Sequence, residues 1–390
     1  MTPVSRPSAD ALRMIERLIA FDTTSRNSNL ELIRWIEGYL AEHGIASELF
    51  FDDEGRKANL FATIGPGDRG GVMLSGHTDV VPIDGQEWST DAFRVIEKDG
   101  RLYGRGTTDM KSFVAVALAM VPRFQAAPLK TPIHLAFSYD EEVGCLGVRK
   151  MIAGLADRPV RPQACIVGEP TEMQVIVGHK GKLSYRCHVR GFECHSSICH
   201  TGVNAVEAAA EVIAYLKAMV RRLRDDGPHD PAFDPPYTTV HTGLIQGGTA
   251  LNIVPKDCWF DFEFRYLPGT DPHRLLAEVQ DFAATKLLPE MRAVQADTGF
   301  TWTELSEFPG LGTADDAPVA ELARSLSGAN RSGKVAFGTE AGLFEAAGIP
   351  TVVCGPGSID QAHKPNEFIA IDQVAACEAF LARLTDRLSA

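Results

Sequence analysis

Apolar residues recur three and four positions apart over Ala11–Ile19 and Leu30–Glu42, a spacing that predicts two amphipathic helices. Ser28 or Asn29 stands where the cap of the second helix is expected. The pattern then shortens. Ser47–Phe51, Asn59–Ile64 and Gly71–Ser75 read as strands, and Ser112–Arg123 as a helix rich in small residues. Ile133–Tyr139 and Ala164–Val167 are short apolar runs of the kind that form buried strands. Strands alternating with helices predict an α/β domain, with a mostly parallel sheet covered on both faces.

The rhythm changes after Gly178. Leu183–Arg190 alternates as a half-exposed strand, and Val203–Leu223 is a long amphipathic helix. Thr238–Ile245 and Cys258–Tyr266 alternate again, Pro272–Leu287 is helical, and Gly299–Leu305 is a final strand. The order β-α-β-β-α-β predicts a ferredoxin-like α+β sandwich. From about Pro309 the α/β character returns, with helices Ala317–Ser327, Ala341–Ala347 and Ile371–Leu388 around strand Thr351–Cys354. The expected organisation is therefore a main domain of residues 1–180 and 307–390, interrupted by an inserted domain of residues 181–306.

Composition narrows the function. The 390 residues are enough for two domains, and 45% hydrophobic with 23% charged is ordinary for a soluble chain. The net charge of −13 argues against nucleic acid or an anionic membrane as partner, because both require a basic face. Eight cysteines include no CxxC pair, and the first residues lack the basic start and apolar run of a signal peptide. No stretch approaches the ~20 apolar residues of a membrane span. A reducing cytoplasm with free thiols is the expected setting.

In an open α/β sheet, ligands gather beyond the carboxyl ends of the strands. Chemistry-bearing residues cluster at those positions. His77 and Asp79 follow one strand; Asp109 lies in the glycine-rich YGRGTTDMK; Glu141 and Glu142 follow another strand; Glu169 sits in GEPT; and His363 sits in DQAHKPNE. So many carboxylates converging in a dehydrated cleft would repel strongly unless cations neutralise them. Imidazole and carboxylate without thiolate suit zinc, with cobalt or manganese also suited. His77 then reads as a ligand and Asp79 as its orienting partner, because a ligating histidine gives its other ring proton to an acceptor. The Glu141–Glu142 pair reads as a division of labour, one carboxylate on metal and one free to move protons. The run CHVRGFECHSSICH matches no metal-ligand spacing, so His195-Ser196-Ser197 reads as a polar tip at a strand-to-helix junction.

These pieces together resemble the M20 metallopeptidase/deacylase family. SGHTDVVP, GRGTTDMK, SYDEEVG, GEPT, ECHSS, GGTALNIVP, FGTEAG and HKPNE appear in family order over nearly the full length. The resemblance implies a zinc-exopeptidase-like catalytic domain with a ferredoxin-like lid and dimerisation insert. It implies two Zn2+ per subunit, with Co2+ as an alternative. His77 and Glu169 would hold one metal, Glu142 and His363 the other, and Asp109 would bridge them. Glu141 would be the general base and acid, Asp79 would orient His77, and His195 would stabilise the oxyanion in the active site of a partner subunit of a homodimer. Ser112 stands where glycine is common after DMK, and His200 where proline is common after HSS; neither is among the implied ligands.

Within the family the chain is most similar to the branch that hydrolyses N2-acetyl-L-ornithine to L-ornithine and acetate, a step of arginine biosynthesis. Broader N-acyl-amino-acid deacylation, succinyl-diaminopimelate desuccinylation and small-peptide hydrolysis are the alternatives. Arg265, with Asn252, would either clamp a substrate carboxylate or form a surface ion pair. Glu340 in FGTEAG would either attract the substrate ammonium or cap the helix near Ala341.

Overall fold

A computed structural model describes residues 6–390. The chain divides into two compact units. The first comprises the chain up to Gly178 with Leu311–Lys334 and Thr339–Ala390; the second comprises His179–Gly310 with Val335–Gly338.

The first unit is built on a nine-stranded sheet. Its centre is parallel: Val72–His77 lies between Ile133–Ser138 and Ala164–Pro170, and Thr351–Gly355 continues beside Ala164–Pro170. The flanks are antiparallel, with Ser47–Phe51 on Ala58–Ile64 and Ala58–Ile64 on Ile133–Ser138. The central strands are buried along their length, which is why they read as continuous apolar runs rather than alternating ones. The parallel core thus sends the C-terminal ends of Val72–His77, Ile133–Ser138 and Ala164–Pro170 to one edge of the sheet.

Two glycines set how the sheet meets its helix. A Cβ on Gly76 would lie 2.8 Å from Met110 Cε, and one on Gly168 would lie 2.0 Å from Phe113 Cγ. Both positions face the start of helix Lys111–Ala119; the Phe113 ring leaves no room for a side chain at Gly168, whereas one at Gly76 would displace the flexible end of Met110. Because successive strand residues point to opposite faces, His77 and Glu169 are turned away from that helix together.

Several local features depart from the sequence reading. The expected helix Ser112–Arg123 is two, Lys111–Ala119 and Val121–Ala126, because Pro122 cannot continue the ladder and instead opens the second. Helix Val148–Ala156 was not anticipated. Neither was a small sheet in which Phe368–Ala370 pairs with Arg101–Tyr103, which pairs with Ile96–Lys98. At helix Leu30–Glu42, Ser28 Oγ accepts from Leu30 N at 3.1 Å. The Asn29 side chain is instead spent across the fold, donating to Ala58 O and accepting from Ala58 N.

The second unit is a four-stranded antiparallel sheet in the order Thr239–Gly247, Asp257–Tyr266, Gly181–Arg190, Gly299–Phe308. Helices Ala205–Asp226 and Pro272–Phe282 pack on it through an apolar cluster that includes Val212, Leu216, Phe260, Phe264 and Val279. This is the ferredoxin-like order. Asn204 caps the long helix, its side-chain oxygen accepting from Val206 N and Glu207 N. The helix expected over Pro272–Leu287 extends further, through a widened turn at Ala283–Leu287 into Leu288–Val294. Among the described residues no helix is long and apolar enough to cross a membrane, and all eight cysteines are free.

Candidate metal centre

The strand ends of the first unit bring together the residues singled out from sequence. His77 closes the strand Val72–His77 and is 1% exposed. Its Nε2 lies 3.0 Å from Asp109 Oδ1 and 3.5 Å from Glu169 Oε1. On the other side, His363 Nε2 lies 3.3 Å from Asp109 Oδ2 and 2.9 Å from Glu142 Oε2. The two oxygens of one carboxylate therefore face two different histidines, and each histidine has a second carboxylate of its own. Donor atoms of His77, Glu141 and Glu169 lie within 4.8 Å of one another, as do those of His77, Asp109 and Glu142.

The loops that carry these side chains are anchored by their surroundings. Asp140 adopts φ 55°, the left-handed region that aspartate tolerates better than most residues, and its carboxylate pairs with Lys57. That turn brings Glu141 and Glu142 back toward the strand ends. Asp79 then holds them: Oδ1 accepts from Glu141 N at 3.1 Å, and Oδ2 accepts from Glu142 N at 3.3 Å and Ser25 Oγ at 2.7 Å. This differs from the expected pairing of Asp79 with the His77 ring. His77 Nδ1 has its close partner in the backbone carbonyl of Asp79, at 2.9 Å, while the carboxylate Oδ1 is 3.6 Å away. The chain between residues 77 and 79 curls enough for the nearer oxygen to be the main-chain one.

The electrostatics show an excess of negative charge. Burial, Asp109 and other carboxylates push Glu169 well above its ordinary range, with His77 opposing. Glu141 is likewise raised well above it, by burial first and then by Glu142, Glu340 and Asp109. Glu142 is raised to about 7 by burial and Asp109. Burial works against a charged His77, yet Glu169, Asp109 and Asp79 hold it well above its usual value. His363 is raised to about 10 by its hydrogen bonds to Asp109 and Glu142. Asp109, although buried, is lowered by hydrogen bonds to His363 and His77. Carboxyls forced toward protonation, beside histidines forced toward the cationic form, are what a nitrogen–oxygen donor set looks like without its cations. The donor chemistry fits divalent metal of the zinc, cobalt or manganese type. Cys145 Sγ approaches Glu141 Oε1 at 3.4 Å, but burial and Glu141 raise this thiol far above its usual pKa, so it supplies no thiolate.

The remaining expected residues divide between the units. Glu340 belongs to the first. It stands before helix Ala341–Ala346 without capping it; Thr339 Oγ1 accepts from Ala341 N at 3.0 Å instead. The Glu340 carboxyl is 1% exposed, and its Oε1 has no hydrogen-bond partner. Burial raises it to about 7, partly offset by Ser138. His195, Asn252 and Arg265 belong to the second unit. His195 is exposed, and its Nδ1 accepts from Ser197 N at 3.2 Å. In the neutral ring this puts the proton on Nε2, leaving an outward donor. Asn252 is adjacent to it, since Ser196 N donates to Asn252 O at 3.1 Å and His195 bridges Ile253. Arg265 forms an ion pair, its Nε donating to Glu263 Oε1 at 2.9 Å.

Two residues near the site escaped the sequence reading. Lys111 is buried and donates to Leu18 O and Phe21 O. Glu367, also buried, sits four residues after His363 within the same HKPNE run and accepts from the loop that carries Asp109. That shared run was the available signal.

The fold and the site define a member of a known class: the sequence profile of peptidase family M20/M25/M40 matches residues 73–387, and the chain belongs to this family. The acetylornithine deacetylase of Myxococcus xanthus is 38% identical over 376 residues, covering 95% of each chain. That of Pasteurella multocida is 34% identical over 380 residues, covering 96% of each. Among solved structures, an M20 family metallo-carboxypeptidase from Sulfolobus solfataricus superposes with a TM-score of 0.77 at 17% identity, covering 98% of this chain and 100% of that one. A Staphylococcus aureus tripeptidase gives 0.76 at 19% identity, covering 99% of both. A Bacillus subtilis dinuclear metal-binding peptidase of the same family gives 0.64 at 16% identity, covering 97% and 98%.

Proposed function

We propose that this chain is a dinuclear metal-dependent amide hydrolase that removes the acetyl group from N2-acetyl-L-ornithine, releasing L-ornithine and acetate in arginine biosynthesis. The observation that carries the reading is the division of Asp109, with Oδ1 toward His77 and Oδ2 toward His363. The full-length likeness to acetylornithine deacetylases supports the substrate.

In this reading His77 and Glu169 would hold one cation, Glu142 and His363 would hold the other, and Asp109, which faces both histidines, would serve both. When bound, divalent zinc or cobalt would polarise an amide carbonyl and acidify water. The chain supplies the proton handling. Glu141, held in place through its own N–H by Asp79, takes the proton of the attacking water and returns it to the departing amine. His195, reaching the active site of a second copy of the chain, would donate from Nε2 to the carbonyl oxygen as it becomes negative, its other nitrogen being fixed by Ser197. Arg265, its guanidinium plane held by Glu263, and Asn252 are assigned the substrate carboxylate. The buried, unpartnered oxygen of Glu340 suits the ornithine ammonium.

We also propose a cytoplasmic homodimer formed through the second unit. Leu244, Ile245, Leu251 and Ile253 are exposed there, and Thr239–Gly247 is an edge strand. Free thiols suit a reducing compartment. Sedimentation analysis tests the dimer. A panel of N-acylated amino acids, assayed with added Zn2+ or Co2+, tests the substrate. Highest kcat/KM on N2-acetylornithine is expected; preference for N-acetylmethionine, a succinylated substrate or a dipeptide overturns the assignment.

A further inference from the structure

The ligands Asp109 and His363 come from distant parts of the chain, yet a continuous polar chain joins their backbones. Glu367 Oε1 accepts from Thr108 N at 2.8 Å and from Asp109 N at 3.1 Å. Its Oε2 accepts from Gly106 N at 3.0 Å and from Arg105 Nη1 at 2.6 Å. Arg105 Nη2 donates to Gln86 Oε1 at 2.7 Å, and Gln86 Nε2 donates to the carbonyl of His363 at 2.9 Å. The guanidinium lies 5.2 Å above the Trp88 ring, whose Nε1 also donates to Gln86 Oε1. The ring closes through the site itself, where His363 Nε2 faces Asp109 Oδ2 at 3.3 Å.

Glu367 and Arg105 are both about 1% exposed. A buried ion pair tied by this many hydrogen bonds, with only Arg105 Nε left unpartnered, is a weak source of stability but a strong source of geometry. The carboxylate collects backbone donors at three positions of one short loop, so it fixes the path of residues 106–109. The backbone adds a further tie, since Gly104 N donates to Glu367 O at 2.9 Å and Phe368–Ala370 pairs with Arg101–Tyr103. His363 itself adopts φ 61°, a left-handed conformation that histidine takes more readily than most residues, and its carbonyl is held by Gln86.

We infer that Glu367, with Arg105 and Gln86, is a positioning brace that sets the spacing between Asp109 and His363 and thereby couples the two metal positions. Without the brace the carboxylate and the imidazole still exist, but each must be ordered by the incoming cation. Metal affinity falls, and binding of the first cation no longer prepares the position of the second. The inference rests on the dinuclear reading given above.

The test is calorimetric titration of chelator-stripped protein with Zn2+, repeated with Co2+ while following its visible absorption. Wild type, Glu367→Gln and Gln86→Ala are compared. The glutamine variant keeps the size of Glu367 but offers an NH2 to donors that need an acceptor. Gln86 is half-buried near the surface, so Gln86→Ala removes one arm without threatening the fold. The expected result is a 10- to 100-fold loss of affinity in Glu367→Gln, with an altered Co2+ spectrum and unchanged circular dichroism. Gln86→Ala should weaken one equivalent more than the other. Wild-type binding of two equivalents, matched by both variants, overturns the brace alone. Failure of wild type to bind either cation overturns the dinuclear reading, and the brace with it. Should Glu367→Gln fail to fold, Gln86→Ala decides.

Discussion

Asp79 Oδ1 accepts the backbone N–H of Glu141 at 3.1 Å, so the residue two positions after one histidine anchors the glutamate in the loop that follows the neighbouring strand. Its second oxygen holds Glu142 N and Ser25 Oγ. Asp79→Asn has one acceptor where three donors need two. We expect kcat to fall about 10- to 100-fold together with metal affinity, while circular dichroism stays unchanged. Steady-state kinetics and Zn2+ titration measure this; a variant with wild-type kcat would show that the anchor is dispensable.

Glu141 and Asp109 should separate chemistry from binding. Glu141→Gln removes the proton carrier and should lower kcat by about 10²- to 10⁴-fold, with metal content retained. Asp109→Ala removes the carboxylate that both histidines face and should lose metal as well as activity. Elemental analysis of protein purified without chelator distinguishes them. Full metal retention in Asp109→Ala would remove the bridging assignment.

For His195 the expectation concerns one donated hydrogen bond. His195→Ala should lower kcat by roughly 10²-fold and leave metal content and melting temperature as in wild type, because the side chain is exposed. Mixing it with Glu141→Gln after mild subunit exchange tests whether His195 serves a second copy. Restored activity is expected; exchange without recovery counts against a shared site.

Burial raises the Glu340 carboxyl from 4.5 to about 7 in the folded chain. The folded state then holds a proton that the unfolded state releases. The stability linked to this group is present below about pH 4.5 and is lost as pH rises through about 7. In chelator-treated protein, urea unfolding should therefore show declining stability between pH 5 and pH 8. Glu340→Gln should remove part of that decline and exceed wild type by about 1–3 kcal/mol at pH 8. Part of the slope should remain, because Glu142 is also raised to about 7. Parallel pH profiles for both proteins would contradict the assignment.

Gly168→Ala places a methyl 2.0 Å from the Phe113 ring. Either the helix or the strand must move, at a cost of about 1–3 kcal/mol, and the shift is delivered to Glu169 next in the chain. Lower unfolding free energy with weaker metal binding is expected, and Phe113→Ala in the same chain, which removes the clashing Cγ, should recover part of the metal binding.

The sequence was readable wherever a signal was local. Apolar periodicity located the helices Leu30–Glu42 and Ile371–Ser389 and the strands Val72–His77 and Ile133–Ser138 to within a residue or two, while Ala164–Pro170 runs three residues beyond its reading. The candidate site residues were legible because a parallel sheet delivers them at strand ends, as in Gly76-His77 and Gly168-Glu169. What stayed hidden depends on partners far apart in the chain. Asn29 looks like a cap and works instead as a tie to Ala58. Asp79 looks like the partner of the His77 ring, but the main-chain oxygen is nearer. The bond from Arg105 to Glu367 joins residues 262 positions apart, a distance over which no periodicity operates. Val148–Ala156 is a short helix, nine residues long, whose pattern is too brief to stand out.

His363 and Glu367 lie near the end of the chain, while His77 and Asp109 lie in its first third. During synthesis the ribosome must deliver the entire second unit before the last donors emerge. A nascent polypeptide stalled short of residue 363 holds His77, Asp109, Glu142 and Glu169 but lacks His363. On the proposed assignment, the complete donor set exists only in the finished molecule, and truncated products should bind metal more weakly.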